Sequence, residues 1–210
     1  MSDIGSTTYP VFTIGHSNHS EEDFVALLRR SGIEQVMDVR SAPRSRWVPH
    51  FNPDRLELIL EKAGIDYAYA GGELGGRPMD RALYDSDGSV SYERVATCDD
   101  FDQGIARVLR AADERRVALM CMERDPLDCH RTLLVARALA ERGVAVEHIL
   151  PDGALLSHEA VMTRLVADMN LPPNGDMFRT REDVTAEAIN KKSRQVAYVA
   201  EATAEYRVTH

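Results

Sequence analysis

One alternation constrains this chain more than any other feature: short, apolar, β-rich runs, each followed by an amphipathic helical segment with a recognisable start and stop. VFTIG (11–15) is stopped by Gly15, and Ser20 then caps EEDFVALLRRSG, with acids in its first turn, arginines in its last and Gly32 behind it. IEQVMDVR (33–40) reads as a buried strand, PDRLELILEKAG (53–64) as a helix closed by Gly64, and IDYAYA (65–70) as a third strand. The pattern resumes with a helix over 101–116, the strand VALMC (117–121), a helix over 131–143 and the strand VAVEHIL (144–150). Strands separated by helices pair in parallel through crossovers. The expected fold is therefore α/β: a doubly wound, mainly parallel sheet with flanking helices and a helical C-terminal extension.

The interruptions are as telling as the repeats. Residues 71–100 are rich in glycine, polar residues and charge, which predicts a long excursion outside the core that serves as a lid. Beyond Pro151 the strands stop, and 158–170 and 181–206 read as helices, the second opened by a Thr180/Asp183 capping pair. The domain organisation expected is an α/β domain over 1–155 and a helical extension over 156–210. That extension packs on the sheet or on a second copy, giving a homodimer.

Composition narrows the setting. With 44% apolar and 28% charged residues the chain has the make-up of a globular protein. No apolar run approaches the roughly 20 residues needed to span a bilayer, so no membrane association is expected. The first residues carry no basic stretch leading into an apolar one, so no secretory leader is expected. Three cysteines do not make a disulfide framework, and the expected location is a reducing cytoplasm. A formal net charge of −9 opposes non-specific binding of nucleic acid. Yet Arg40, Arg44 and Arg46 follow one strand without an acid among them, and Arg77 and Arg81 lie further along. A local cationic pocket of this kind suits a small anion or a nucleotide.

The chemistry concentrates in VALMCMERDPLDCHRT (117–132), which sets Cys121, Glu123, Cys129, His130 and Arg131 around one loop between a strand and a helix. Open α/β sheets bind ligands at that edge. A thiol at a strand end, facing a helix start and an arginine, is expected to have a lowered pKa, which makes Cys121 the candidate nucleophile. Backbone N–H groups at the start of the next helix and the Arg131 guanidinium would hold an anion. Glu123 and His130 are the candidate proton carriers, with His16 of GHSNH (15–19) a third and Ser17 beside it. Asp38 and Arg40 end the second strand, either as an anion contact or as a structural pair. Gly75 and Gly76 in LGGRP lack the spacing of a phosphate loop and read as a turn in the excursion that borders the substrate. Trp47 and Phe51 offer stacking surfaces. A metal is the alternative use of the loop: Cys121, Cys129 and His130 supply three ligands and His16 or His19 a fourth, although there is no CxxC pair. No motif names a cofactor.

TIGHS (13–17), DVR (38–40) with Pro43 and Ser45, Phe51, ELGG (73–76), CMERDPLDCHR (121–131), VEHI (146–149) and the tail over 176–199 together resemble one family, the domain of unknown function 488 family. The resemblance spans nearly the whole chain. It implies a fold and a motif set that maps onto Gly15, His16, Ser17, Asp38, Arg40, Gly75, Gly76, Cys121, Glu123, Cys129, His130 and Arg131, and it implies no reaction. The layout is also similar to that of rhodanese sulfurtransferases, in which a strand-end cysteine is closed in by an arginine. Here the stretch from Cys121 to Arg131 is longer and holds a second thiol, so the same compact anion cradle is not expected.

The resulting expectation is an enzyme acting on a small anionic or nucleotide-like substrate, by sulfur transfer, acyl transfer or hydrolysis. The alternatives are a metal-dependent or redox-sensing protein using Cys121, Cys129 and His130, and a non-catalytic nucleotide or nucleic-acid binding module.

Overall fold

The computed structural model describes residues 7–200. Each apolar run forms a strand: β1 (Val11–Gly15), β2 (Gln35–Asp38), β3 (Asp66–Tyr69), β4 (Val117–Cys121) and β5 (Val146–Ile149). Ser20 accepts the Asp23 N–H and opens α1 (Glu21–Arg30), and Gly64, in the left-handed conformation, closes α2 (Pro53–Ala63). These five strands are parallel. A sixth, β6 (Leu155–Ser157), turns back at Gly153 and pairs antiparallel with β5, so the sheet runs one strand past the expected end at residue 150. The order is β3-β2-β4-β1-β5-β6.

Alternation along the strands sorts the core into two layers. Phe12, Ile14, Val36, Ala118 and Met120 face α1 and α2, where they bury Phe24, Leu28, Phe51, Leu56 and Leu60. Val11, Met37, Val117, Leu119 and Cys121 point the other way, into a larger cluster. That cluster is covered by α5 (Asp99–Glu114), by a π-helical run over Arg131–Ala136 that continues into α6 (Arg137–Glu141), and by α7 (His158–Asp168) and α8 (Arg181–Val196). Helices on both faces make the sheet doubly wound.

The 71–100 segment departs from expectation. It holds two single turns, α3 (Gly71–Leu74) and α4 (Tyr92–Val95), and it buries Leu74, Val90, Tyr92 and Val95 in the larger cluster. It is therefore partly core, not an excursion. Its apolar residues follow neither a helical nor a strand period, which hid them among glycines and acids. The α8 helix stops at Val196; of the stretch to 206 that reads as helical, residues 201–206 lie outside the described residues. After the helix the chain folds back on the 71–100 segment, where Val90 N–H donates to the Tyr198 carbonyl at 2.9 Å. Among the described residues no helix is long and apolar enough to cross a membrane.

Topology fixes where a ligand can enter. From β2 the chain moves outward to β3, and from β4 it moves the other way to β5, so the connections diverge between the adjacent strands β2 and β4. Open parallel sheets leave a crevice at such a switch point, beyond the carboxyl ends of the strands.

Candidate functional site

The β4 strand delivers Cys121 to that crevice, and a loop with a 3-10 turn at Pro126–Asp128 brings Cys129 and His130 back over it. His130 Nδ1 lies 3.8 Å from the sulfur of Cys121 and 3.8 Å from that of Cys129. The three ligand atoms all fall within 4.8 Å of one another, and all three residues are buried. On the far side of the ring, Nε2–H donates to the Val39 carbonyl just past β2 at 3.0 Å. A carbonyl only accepts, so that bond sets the tautomer: neutral His130 turns a lone pair on Nδ1 toward the sulfurs.

Close backbone approach holds this arrangement together. A Cβ at Gly15 would lie 1.8 Å from the Glu123 carbonyl oxygen, so only glycine lets β1 end against the loop. A Cβ at Gly76 would come within 2.8 Å of the His130 ring, so the 71–100 segment is pressed onto the imidazole by its backbone. Gly75 packs instead against Ser41 and the Gly71 carbonyl.

The two sulfurs are shifted in opposite directions. Burial raises Cys121, and its hydrogen bond to Cys129, the Cys129 charge and Glu123 raise it further. Burial also pushes Cys129 up, but the hydrogen bond from Cys121, together with Arg131 and His130, outweighs burial and holds it well below the ordinary thiol range. The Arg131 N–H also points at the Cys129 sulfur, 3.4 Å away. The lowered pKa expected at Cys121 falls on Cys129, the sulfur held by the Cys121 hydrogen bond, Arg131 and His130. Burial raises Glu123, helped by the Cys129 charge, and its carboxyl abuts both sulfurs while Oε2 is buried without a hydrogen-bond partner. Burial pulls His130 down, but the Cys129 charge prevails and leaves it raised.

Arg131 does not reach the crevice. It is 1% exposed, donates from Nη1 to the Glu123 carbonyl at 2.8 Å and leaves Nε without a partner, so it serves as a positive back wall to Cys129. Arg40 is likewise committed. Its Nε and Nη2 bind Asp38, Nη2 also binds the Phe51 carbonyl, and Nη1 donates to His16 Nε2 at 3.1 Å. His16 Nδ1–H donates to the Ser17 carbonyl, so both ring nitrogens are occupied. Burial and then Arg40 lower His16 to about 3, and it is held neutral. Ser17 lies outside the cavity, with a φ of 45°, where its N–H pairs with the Met122 carbonyl. His19 joins neither the thiols nor His130. Phe51 is buried and stacked on His16 at 4.3 Å, unavailable to a ligand, whereas Trp47 is 79% exposed with Arg46 over its ring.

A cavity of about 320 Å³ opens above the cluster, with Cys121, Glu123 and His130 in its floor. Its walls include Arg40, Arg44 and Arg77, and also Tyr92 and Tyr198, which the sequence reading missed. Arg44 is paired with Asp54. Arg77 lies over the Tyr198 ring and has no acidic partner among the described residues. No local pattern marked Tyr198: it reaches the cavity only because α8 ends beside the 71–100 segment.

Fold and site together define a doubly wound α/β protein with two thiols and an imidazole at its switch point, beneath a cation-rimmed cavity. Residues 20–138 match the domain of unknown function DUF488, and the chain belongs to that family. No curated protein matches the chain. Among solved structures, a protein of family DUF442 from Shewanella putrefaciens CN-32, described as a candidate phosphatase, is similar over 93% of this chain and 94% of its own. Its identity is 12% and the TM-score 0.36.

Proposed function

We propose that this protein is an enzyme that binds a small anionic substrate in the strand-end cavity and carries out a transfer or hydrolysis at its floor. The observation that carries this reading is one juxtaposition. Arg77, a cation with no acidic partner among the described residues, lines the same cavity as a half-buried carboxyl, Glu123, whose pKa is raised. A carboxyl that burial makes hold its proton more tightly is a candidate proton carrier, and clusters of perturbed groups in a cleft favour a catalytic role. In this reading Glu123 moves the proton, and Arg77 holds the anion. Asp38, Arg40 and His16 form the rigid wall that positions the cluster.

Covalent attack by Cys121 is the second reading, favoured by its being the sulfur that lines the cavity. Against it stands the burial of Cys121, which raises its thiol.

Titration with inorganic phosphate and with AMP, and turnover of a panel of phosphomonoesters, thioesters and nucleotides, test the proposal. Binding should weaken with salt and fall at least several-fold in Arg77→Ala. Glu123→Gln should lower turnover by about 10²–10⁴-fold, with the circular dichroism spectrum unchanged. Anion binding indifferent to Arg77→Ala, or turnover unchanged in Glu123→Gln, would overturn it.

A further inference from the structure

We infer that Cys121, Cys129 and His130 form a binding site for a divalent metal of the zinc type, its fourth position open to the cavity beside Glu123. The inference deepens the enzymatic reading above and rests on it for the role of the open position, but the metal site itself stands on geometry.

With zinc–sulfur bonds of about 2.3 Å and zinc–nitrogen bonds of about 2.05 Å, a tetrahedral site spaces its sulfur and nitrogen ligands about 3.6 Å apart. Both sulfurs here lie 3.8 Å from His130 Nδ1, within a few tenths of an ångström of that spacing, and the three ligand atoms all fall within 4.8 Å of one another. The donor set agrees: two sulfurs and an imidazole are the soft-to-borderline ligands that select zinc over magnesium or calcium. The surroundings are also those of a metal site. The ligating nitrogen is aimed by the Nε2–H bond to the Val39 carbonyl, as the outer partners of metal-bound histidines do. The Arg131 N–H donates to the Cys129 sulfur, which steadies it as a thiolate.

Charge and polarity close the argument. Without a cation, this pocket packs two sulfurs, a carboxyl and an imidazole together and leaves Glu123 Oε2 buried without a partner. Two thiolates balance a divalent ion. Among the described residues the group within 4.8 Å of one another comprises Cys121, Cys129 and His130, with Glu123 beside it. The remaining position faces the cavity that Cys121 and His130 floor, the arrangement of a catalytic and not a closed structural site.

Elemental analysis of the full chain, purified without chelators and reloaded with zinc under reducing conditions, should give about one zinc per chain. Cys98→Ser should keep it, and Cys129→Ser and His130→Asn should lose it. Because the last two variants alter buried residues, cobalt loading of the wild-type chain supplies a readout independent of their folding. Sulfur-to-cobalt charge-transfer bands and intense tetrahedral d–d bands are expected, both changing when inorganic phosphate occupies the open position. Less than a tenth of an equivalent of zinc, or a cobalt spectrum without sulfur bands, overturns the metal site. If anion binding and turnover persist in that metal-free protein, the enzymatic reading survives alone. Full zinc occupancy with no anion binding overturns the enzymatic reading and leaves the metal site.

Discussion

At the scale of single residues, the site is built from side chains that are already spoken for. Asp38 is wholly buried; it accepts from the Arg40 backbone N–H, from Arg40 Nε and Nη2, and from the Tyr67 hydroxyl. A buried ion pair of this kind adds little beyond its own desolvation, but removing one partner strands the other charge. Asp38→Ala should therefore cost about 3–5 kcal/mol, read from the urea midpoint. A loss under about 1 kcal/mol would mean that Arg40 finds other partners or water. From sequence, Asp38–Arg40 reads equally well as a ligand contact or a structural pair. Burial decides it, since every Arg40 donor that faces inward is used inside the protein.

At the scale of elements, the ends of helices do the positioning. The π-helical run Arg131–Ala136 starts where the Cys129 sulfur needs an N–H donor, and departures from α-helical register are frequent at functional sites. The α8 helix carries the chain to Val196 and Tyr198 at the cavity, and it is opened by a reciprocal Thr180/Asp183 capping box. Thr180→Ala should destabilise that first turn by about 1 kcal/mol. The measurement is hydrogen exchange, with faster exchange expected at Asp183 and Val184 and unchanged exchange in β4. Uniform acceleration through the sheet would show that α8 does not open separately.

At the scale of the whole molecule, a buried polar chain ties the sheet to the C-terminal helices. The Thr13 hydroxyl bonds His148 on β5, and His148 bonds His158 at the start of α7, at 2.8 and 3.1 Å. Burial, aided by the neighbouring ring and by Arg131, holds His148 down to about 2, and burial lowers His158 to about 4. In the unfolded chain both titrate near 6.5. Below that pH the unfolded state therefore binds more protons than the folded one. Stability is full above about pH 6.5 and falls as pH drops, by about 1.4 kcal/mol per unit for each histidine until its folded pKa is reached. His158→Gln should flatten the dependence of Tm on pH between about 6.5 and 4. An unchanged slope would place the acid sensitivity elsewhere.

The sequence by itself determined the alternating α/β architecture, the parallel strands, the caps at Ser20 and Thr180 and the family. Each rests on local periodicity or on a short motif. It also marked the residues that share the strand-end edge, because a strand's last residue is necessarily at that edge. Tertiary structure alone decided how those residues are arranged there. Which sulfur is lowered depends on how Cys121, Arg131 and His130 surround it, and whether an arginine is free depends on carboxylates brought to it by the fold. Tyr92, Arg77 and Tyr198 meet across the cavity because distant segments pack together. The sixth strand and the buried part of 71–100 escaped notice for the same reason. Their order comes from contacts with the rest of the molecule, which no local pattern encodes.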